Sequence, residues 1–578
     1  LVEAEPRVIT AMLQGEERLP DALRALQELR ATDDPLNGLV LLEGLTWRQG
    51  EVLRAVRNHL LQIRPHYNAE TLNADLLRNS PMTRALFDLF DARFDPSLPG
   101  SRDEAAARAD DALRAASRRV ASLLDEEILR AMENLIRATV RTNAYQHPER
   151  PVISLKVESG KVEGMPSPRP LFEIFVHSRH VQGIHLRQGK VARGGIRWSD
   201  RHDDFRTEVL GLVKAQQVKN AVIVPVGSKG GFVLKGQLPP RPALDALLID
   251  RYRQYVSGLL DVTDNLVNGQ VVHPPEVVRH DADDAYLVLA ADKGTAHLSD
   301  TANSVSSQYG FWLGDAFASG GSVGYDHKKE GITARGAWEC IKHNFRLLGH
   351  DIQTQPFTMA GMGDMAGEGF GNGAVLSKAE KLGAAFDHRH GFLDPDPDPA
   401  VSWQERKRLF TLPRSSWMDY DKSLISPGGG VWDRSAKAIP LSPQVRQLLD
   451  LDKDEAGGEE VIRAVLAARV DLLYNGGIGT YVKGSSEEHS DVGDRANDRV
   501  RVNGGQLRCR VFGEGGNLGA TQRGRIEYWH TGGLVDTDAI DNSGGVDMSD
   551  HEVNIKILLD VLLRGGVVKD RAARNAII

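Results

Sequence analysis

Apolar residues recur at three- and four-residue steps through the N-terminal part of the chain. The clearest run, Arg102 to Tyr145, sets Leu113, Val120, Leu123, Leu124, Ile128, Leu129, Leu135 and Ile136 on one stripe, the spacing of an amphipathic helix. Residues 1–150 are therefore expected to be a helical region, and nothing in them looks chemical. The period changes after Pro151. "VISLKV" and "LFEIFV" alternate apolar and polar positions, which predicts half-buried strands. "DFRTEVLGLVKAQQVKN" reads as a helix leading into an apolar strand, "AVIVPV", and "AYLVLAADKG" reads as another strand. Further on, "GAWECIKHNFRLL" is expected to be helical. "QPFTMAGMGDMAGEGFGNGAVLS" is a strand, a glycine-rich turn and a helix, and "GAAFDH" is the next strand. "RVDLLYNGG" and "RCRVFGEGGN", each a strand then a turn, complete a βαβ series. The fold class expected is α/β, and residues 480–506, poor in apolar pattern, are expected at the surface.

Composition narrows the class without changing it. The 578 residues exceed what one core organises, and 41% hydrophobic with 26% charged residues is ordinary for a globular protein. A net charge of −8 with no basic block argues against nucleic acid as a partner. No apolar run reaches membrane-spanning length. Two cysteines, Cys340 and Cys509, show no pairing or metal-ligand spacing, so a cytoplasmic location and no metal are expected. The chain starts "LVEAEPR" and stops within an expected helix, so a piece of a longer polypeptide is expected.

Two stretches carry chemistry. Gly361-Met362-Gly363-Asp364-Met365-Ala366-Gly367 has the form G-x-G-x-x-x-G. In a dinucleotide turn the first glycine permits the tight turn and the second admits a pyrophosphate. Asp387 ends the following strand 26 residues after Gly361, where a ribose-binding carboxylate belongs. A carboxylate there favours NAD over NADP. The second stretch, "VIVPVGSKGGFVLK", holds Lys229 among glycines. It is not a phosphate loop, because Gly230 and Gly231 follow the lysine where that motif needs Ser or Thr. The other reading is an amine beside a reacting carbon, its pKa lowered by burial and nearby cations. Lys219, Arg193 in "VARGGIRW" and Asp292 in "AADKGT" complete a candidate cluster.

"RGGIRW", "VKNAVIVPVGSKGG", "AADKGT", "GITARG", "GEGGN" and "NSGGVDMS" stand in the order found in glutamate dehydrogenases. Longer segments, among them "AGMGDMAGEGFGNGAVLS", "LPRSSWMDYD" and "DLLYNGGIGTYVK", resemble the large-subunit, NAD-specific bacterial class. The resemblance runs from about Arg193 to the C-terminus. It implies that the chain is a catalytic core, with Lys229 the catalytic lysine and Asp292 the proton-transferring aspartate. Lys219 would bind the substrate α-carboxylate, Ser549 would touch the γ-carboxylate, and Arg193 stands where ordinary members have lysine. Gly361, Gly363, Asp364, Met365, Asp387, Thr333, Asn475, Asn517 and Asn542 make up the implied cofactor-binding set. The implied order is a helical region (1–150), a substrate-binding α/β domain (151–345), a Rossmann-type NAD-binding domain (346–545) and a C-terminal helix (546–578) returning toward the substrate domain. The implied reaction is NAD-dependent, reversible deamination of L-glutamate to 2-oxoglutarate and ammonia by a homo-oligomer. The competing readings are a dehydrogenase of another amino acid and a non-catalytic nucleotide-sensing scaffold. Arg193 and Ser549 weigh against the first, and the joint presence of Lys229, Lys219 and Asp292 against the second.

Overall fold

The computed structural model describes residues 17–146, 150, 152–223, 226–291 and 295–578. They form two compact units, Leu1–Val323 with Val553–Ile578, and Gly324–Glu552. The divisions differ from those expected at 345 and 545, because the helix Ile332–Leu347 buries Ala337, Trp338, Ile341 and Phe345 in a core of the second unit.

The first unit is built on a seven-stranded sheet. Its strands are β1 (Thr139–Thr142), β2 (Ile153–Glu158), β3 (Phe172–His177), β4 (Val181–Arg187), β5 (Gly195–Trp198), β6 (Ser228–Leu234) and β7 (Ala290–Ala291), in spatial order β1–β2–β3–β4–β6–β5–β7. β1 to β4 and β6 pair antiparallel, while β5 runs parallel to both β6 and β7. The helix Trp47–Ile63 starts at a reciprocal capping box between Thr46 and Gln49 and packs on one face of the sheet. The expected single helix over Arg102–Tyr145 is two, Arg102–Ser117 and Leu123–Ala138, followed by β1. Ser122 explains the break: its hydroxyl accepts from the Asp125 N–H and starts a new helix. Leu123 and Leu124, counted in the apolar stripe, are 85% and 53% exposed at that start.

β2 and β3 are not half-buried as their alternation predicts; both are covered on both faces. Helix Ala243–Leu260 packs on one face through Leu248, Tyr252 and Tyr255; on the other, the helix Trp47–Ile63 covers β2, and Phe205 and Val209 of the helix Phe205–Ile223 pack against Phe175 of β3. Two of their polar positions, Lys156 and Glu173, are buried charges with partners. Lys156 Nζ donates to Asp281 at 2.6 Å and Asp284 at 2.7 Å, and Glu173 accepts from His59 at 2.8 Å and Arg206 at 2.7 Å. Removing one partner would strand the other in a medium that cannot solvate it.

The helix–strand boundary before Lys229 also lies later than expected. Ala221–Ile223 close the helix Phe205–Ile223, and the strand is β6, with Lys229 inside it. Among the described residues of the run "AYLVLAADKG", only Ala290–Ala291 form a strand of the sheet.

The second unit holds the doubly wound sheet. Its strands are β8 (Phe357–Met362), β9 (Glu380–Phe386), β10 (His390–Leu393), β11 (Gly430–Asp433), β12 (Leu472–Asn475), β13 (Val511–Glu514) and β14 (Leu534–Val535), in order β11–β10–β9–β8–β12–β13–β14. In the parallel part, β9–β8–β12–β13–β14, the order in which the chain adds strands reverses between β8 and β12. In such sheets ligands bind beyond the carboxyl ends of the strands at that reversal. The stretch 480–506 is not wholly at the surface: Tyr481, Val482, Val500 and Val502 are buried in the core of this unit. Among the described residues, no helix is long and apolar enough to cross a membrane.

Candidate functional site

The first unit gathers three buried cations. Lys229, Arg193 and Lys219 are 5%, 6% and 7% exposed, too little for surface charges. Lys229 pairs with Leu186 across β6 and β4. It shares a strand face with Gly231, where an added β-carbon would lie 2.6 Å from Val209 of the helix Phe205–Ile223. Lys219 stands on that same helix. Gly230 faces the other way, 2.7 Å from the Tyr255 hydroxyl by the same test. The glycines around Lys229 are therefore packing positions within a strand, and not a flexible turn.

Arg193 is registered to β6 by its backbone. Its N–H donates to Val226 O at 3.4 Å, and its carbonyl accepts from Ser228 N–H at 2.9 Å. Its guanidinium is aimed by Tyr286 Oη and Asn554 Oδ1, both at 2.6 Å. Neither partner was legible in sequence, since Asn554 lies 361 residues away in the helix Ser543–Arg564. Ala291 of β7 pairs with Ile196 of β5, which pairs with Gly230. Asp292, the expected proton carrier, lies outside the described residues.

In the second unit the register collects the nucleotide candidates at one sheet edge. Met362 pairs with both Phe386 and Asn475, so Gly363, Asp387 and Asn475 stand together at the reversal. Gly361 does not make the turn, as expected of a first glycine. It lies inside β8, and a β-carbon there would overlap the Phe370 ring. Gly363 has φ +150°, with its missing β-carbon 2.5 Å from Phe370 Cβ. Both glycines let the short helix Glu368–Gly373 lie against the sheet. The Gly363 N–H donates to Phe386 O at 2.8 Å, and Trp417 Nε1 donates to Gly363 O at 2.9 Å. Trp417 is a further residue that sequence reading missed.

Asp387 Oδ1 accepts from the N–H groups of Arg389 and His390 at 2.6 and 2.7 Å, while the buried Oδ2 has no hydrogen-bond partner. Asn475 Oδ1 accepts from Gly477 N–H at 2.7 Å, and its buried Nδ2 is likewise unpartnered. A bare acceptor and a bare donor at one sheet edge suit a polyhydroxylated nucleotide, because buried polar atoms are costly until paired. Burial and the Asp387 charge raise the Asp364 carboxyl above its ordinary range.

Other expected residues are placed differently. The Met365 side chain lies in the core, so only its main chain could face a ligand. Asn542 Nδ2 donates to Glu514 O at 3.3 Å and Gly516 O at 2.8 Å, bracing the turn that carries the half-buried Asn517. Thr333 is half-buried in the first turn of Ile332–Leu347, its hydroxyl against Gly545. Ser549 is buried on the helix Ser543–Arg564.

The comparisons agree on one family. The description "Bacterial NAD-glutamate dehydrogenase, catalytic domain" matches residues 112–578, and "Glutamate dehydrogenase, helical motif 3" matches residues 31–96. The NAD-specific glutamate dehydrogenase of Mycobacterium tuberculosis is 56% identical over 96% of this chain and 35% of its own length. That of Pseudomonas aeruginosa is 51% identical over 98% of this chain and 35% of its own length. The chain thus spans about a third of the length of these curated relatives. Among solved structures, Plasmodium falciparum glutamate dehydrogenase aligns at a TM-score of 0.43 and 13% identity, over 83% of this chain and 82% of that one, too loosely to match residue to residue.

Proposed function

The chain belongs to the bacterial NAD-glutamate dehydrogenase family, and from that premise we propose that it performs the reversible NAD-dependent oxidative deamination of L-glutamate. Glutamate, NAD and water give 2-oxoglutarate, ammonium, NADH and a proton. The observation that carries this reading is the set of three buried cations: Lys229 and Arg193 on neighbouring segments of one sheet, and Lys219 on the helix Phe205–Ile223 that packs against it. Such a concentration of buried positive charge is suited to a dianionic substrate.

When bound, NAD supplies the hydride acceptor. The chain's own residues supply position and charge. Lys219 and Arg193 hold carboxylates. Tyr286 and Asn554 fix the plane of the Arg193 guanidinium, so that its fork meets two oxygens at once. Lys229 holds or gives up a proton beside the reacting carbon, and Asp292 takes the proton that leaves the amine. In the second unit, Asp387 Oδ2 and Asn475 Nδ2 are the groups with hydrogen-bonding capacity left for the coenzyme. Asp387 also disfavours a 2′-phosphate by charge. Two cysteines without disulfide partners support placing the enzyme in the cytoplasm, and we place it in a homo-oligomer.

The test is NADH formation, read by absorbance, with the full-length polypeptide and L-glutamate, leucine or valine. Glutamate-dependent reduction of NAD supports the reading. Absence of any reduction, or preference for an apolar amino acid, overturns it.

A further inference from the structure

The Cys340 thiol, on the helix Ile332–Leu347, and the carboxylates of Asp536 and Asp541 bring one ligand atom each within 4.8 Å of one another. We propose that these three side chains form a zinc site in the second unit, with the fourth position of a tetrahedron left to water.

The donor set fits the ion. A thiolate with two carboxylate oxygens is a set zinc accepts, and three protein ligands plus water is its open form. Tetrahedral bonds of about 2.0–2.3 Å bring donors to roughly 3.5 Å from one another, within reach of side-chain rotation. Each carboxylate has one oxygen held from outside. Asn344 Nδ2 donates to Asp536 Oδ2 at 2.9 Å, and the Glu514 N–H donates to Asp541 Oδ2 at 2.8 Å. Outer-shell bonds of this kind orient metal ligands. The other oxygen of Asp541, Oδ1, is buried without a hydrogen-bond partner, on a residue only 2% exposed. This is the atom that an ion would satisfy.

Charge points the same way. Four carboxylates converge here, Glu514, Asp536, Asp538 and Asp541, with one guanidinium, Arg525. Arg525 is committed to Glu514 at 2.6 Å and Asp538 at 2.8 Å. Among the described residues no lysine or arginine pairs with Asp536 or Asp541. A bound divalent ion would hold the Cys340 thiol deprotonated. Asp536, one of the three ligands, also lines a cavity of about 160 Å³ with Arg525, Trp529 and Thr537. No motif announces the site because Cys340 and Asp536 are 196 residues apart. An ion here would clamp the helix Ile332–Leu347 to the segment that ends in Asn542.

The test uses full-length protein freed of metal with a chelator, and cobalt(II) as the optical probe. The unaltered protein minus Cys340→Ser should show one equivalent of thiolate-to-cobalt charge transfer, and zinc should displace it. Cys509→Ser should keep the band. Asp536→Asn should weaken zinc binding on the order of 10- to 100-fold, and Asn344→Leu should weaken it on a similar scale by releasing Asp536. At zinc 100-fold above its dissociation constant, the folding equilibrium of the unaltered protein should rise about 100-fold. Asp541→Asn keeps an acceptor for the Glu514 N–H, so it should fold and show no zinc-dependent rise in melting temperature. A flat difference spectrum, or zinc stabilisation unchanged in Cys340→Ser and Asp541→Asn, overturns the proposal.

Discussion

Gly194 lies flat against the carbonyl oxygen of Ser228, so close that a β-carbon on Gly194 would overlap that oxygen. This contact sets how far Arg193 stands from the strand that carries Lys229. Gly194→Ala must push β6 or the Arg193 segment aside. A displacement near 1 Å at a positioning group costs about 100-fold in rate. We expect kcat/KM for glutamate to fall by that order, with helical content retained by circular dichroism. A variant within threefold of the unaltered enzyme would show that this spacing does not matter.

Lys229→Ala should abolish turnover while NAD affinity stays within about twofold, because the groups proposed to hold the coenzyme lie in the second unit. The first quantity is read by NADH formation and the second by titration of protein fluorescence with NAD. Substantial residual turnover would remove Lys229 from the chemistry.

Tyr286→Phe takes one charge-assisted hydrogen bond from Arg193 and leaves its volume nearly unchanged. Such a bond is worth about 1.5–3 kcal/mol. The expected result is a rise in KM for glutamate of roughly 10-fold or more, with kcat little altered. An equal loss in kcat alone would place Tyr286 in the chemistry rather than in aiming the guanidinium.

Asp387→Asn retains an acceptor for the Arg389 and His390 N–H groups but loses the charge. The preference for NAD over NADP should narrow by about 10-fold or more, measured as the ratio of kcat/KM values. If the ratio holds, coenzyme discrimination resides elsewhere.

His185 gives a pH prediction. It is fully buried on β4, both ring nitrogens lack partners, and burial followed by the Arg187 charge holds its pKa down to about 3, with Asp284 opposing. The unfolded chain binds a proton at its ordinary value near 6.5, and the folded protein resists it. The stabilisation is therefore complete above pH 6.5 and lost as pH falls toward 3, at up to about 1.4 kcal/mol per pH unit. Urea unfolding of the first unit at pH 7.5, 6 and 5 should show this slope, and His185→Phe should reduce it. An unchanged slope in the variant would assign the acid sensitivity to other groups.

What sequence could show was local. Lys229, the paired glycines near 361 and the acid at 387 stand out because a lone charge or a glycine pair beside an apolar run is visible in a single sequence. Their surroundings were not. Gly230 and Gly231 looked like a turn, whereas they are strand positions emptied for the Tyr255 and Val209 side chains. "AVI" looked like a strand because its residues favour one, yet the helix continues to Ile223. β2 and β3 looked half-exposed because their polar positions were read as facing water. Instead Lys156 among them meets charges from distant segments, Asp281 and Asp284, 125 and 128 residues on. Distance along the chain likewise concealed Asn554 behind Arg193 and Trp417 behind Gly363.

Trp417 has a spectroscopic consequence. Its indole is fully buried, and its one N–H is spent on the carbonyl of Gly363. Indole emission shifts when that bond lengthens or breaks. The turn proposed to hold the nucleotide therefore carries its own optical gauge, which is read as the emission lost in Trp417→Phe and needs no added dye.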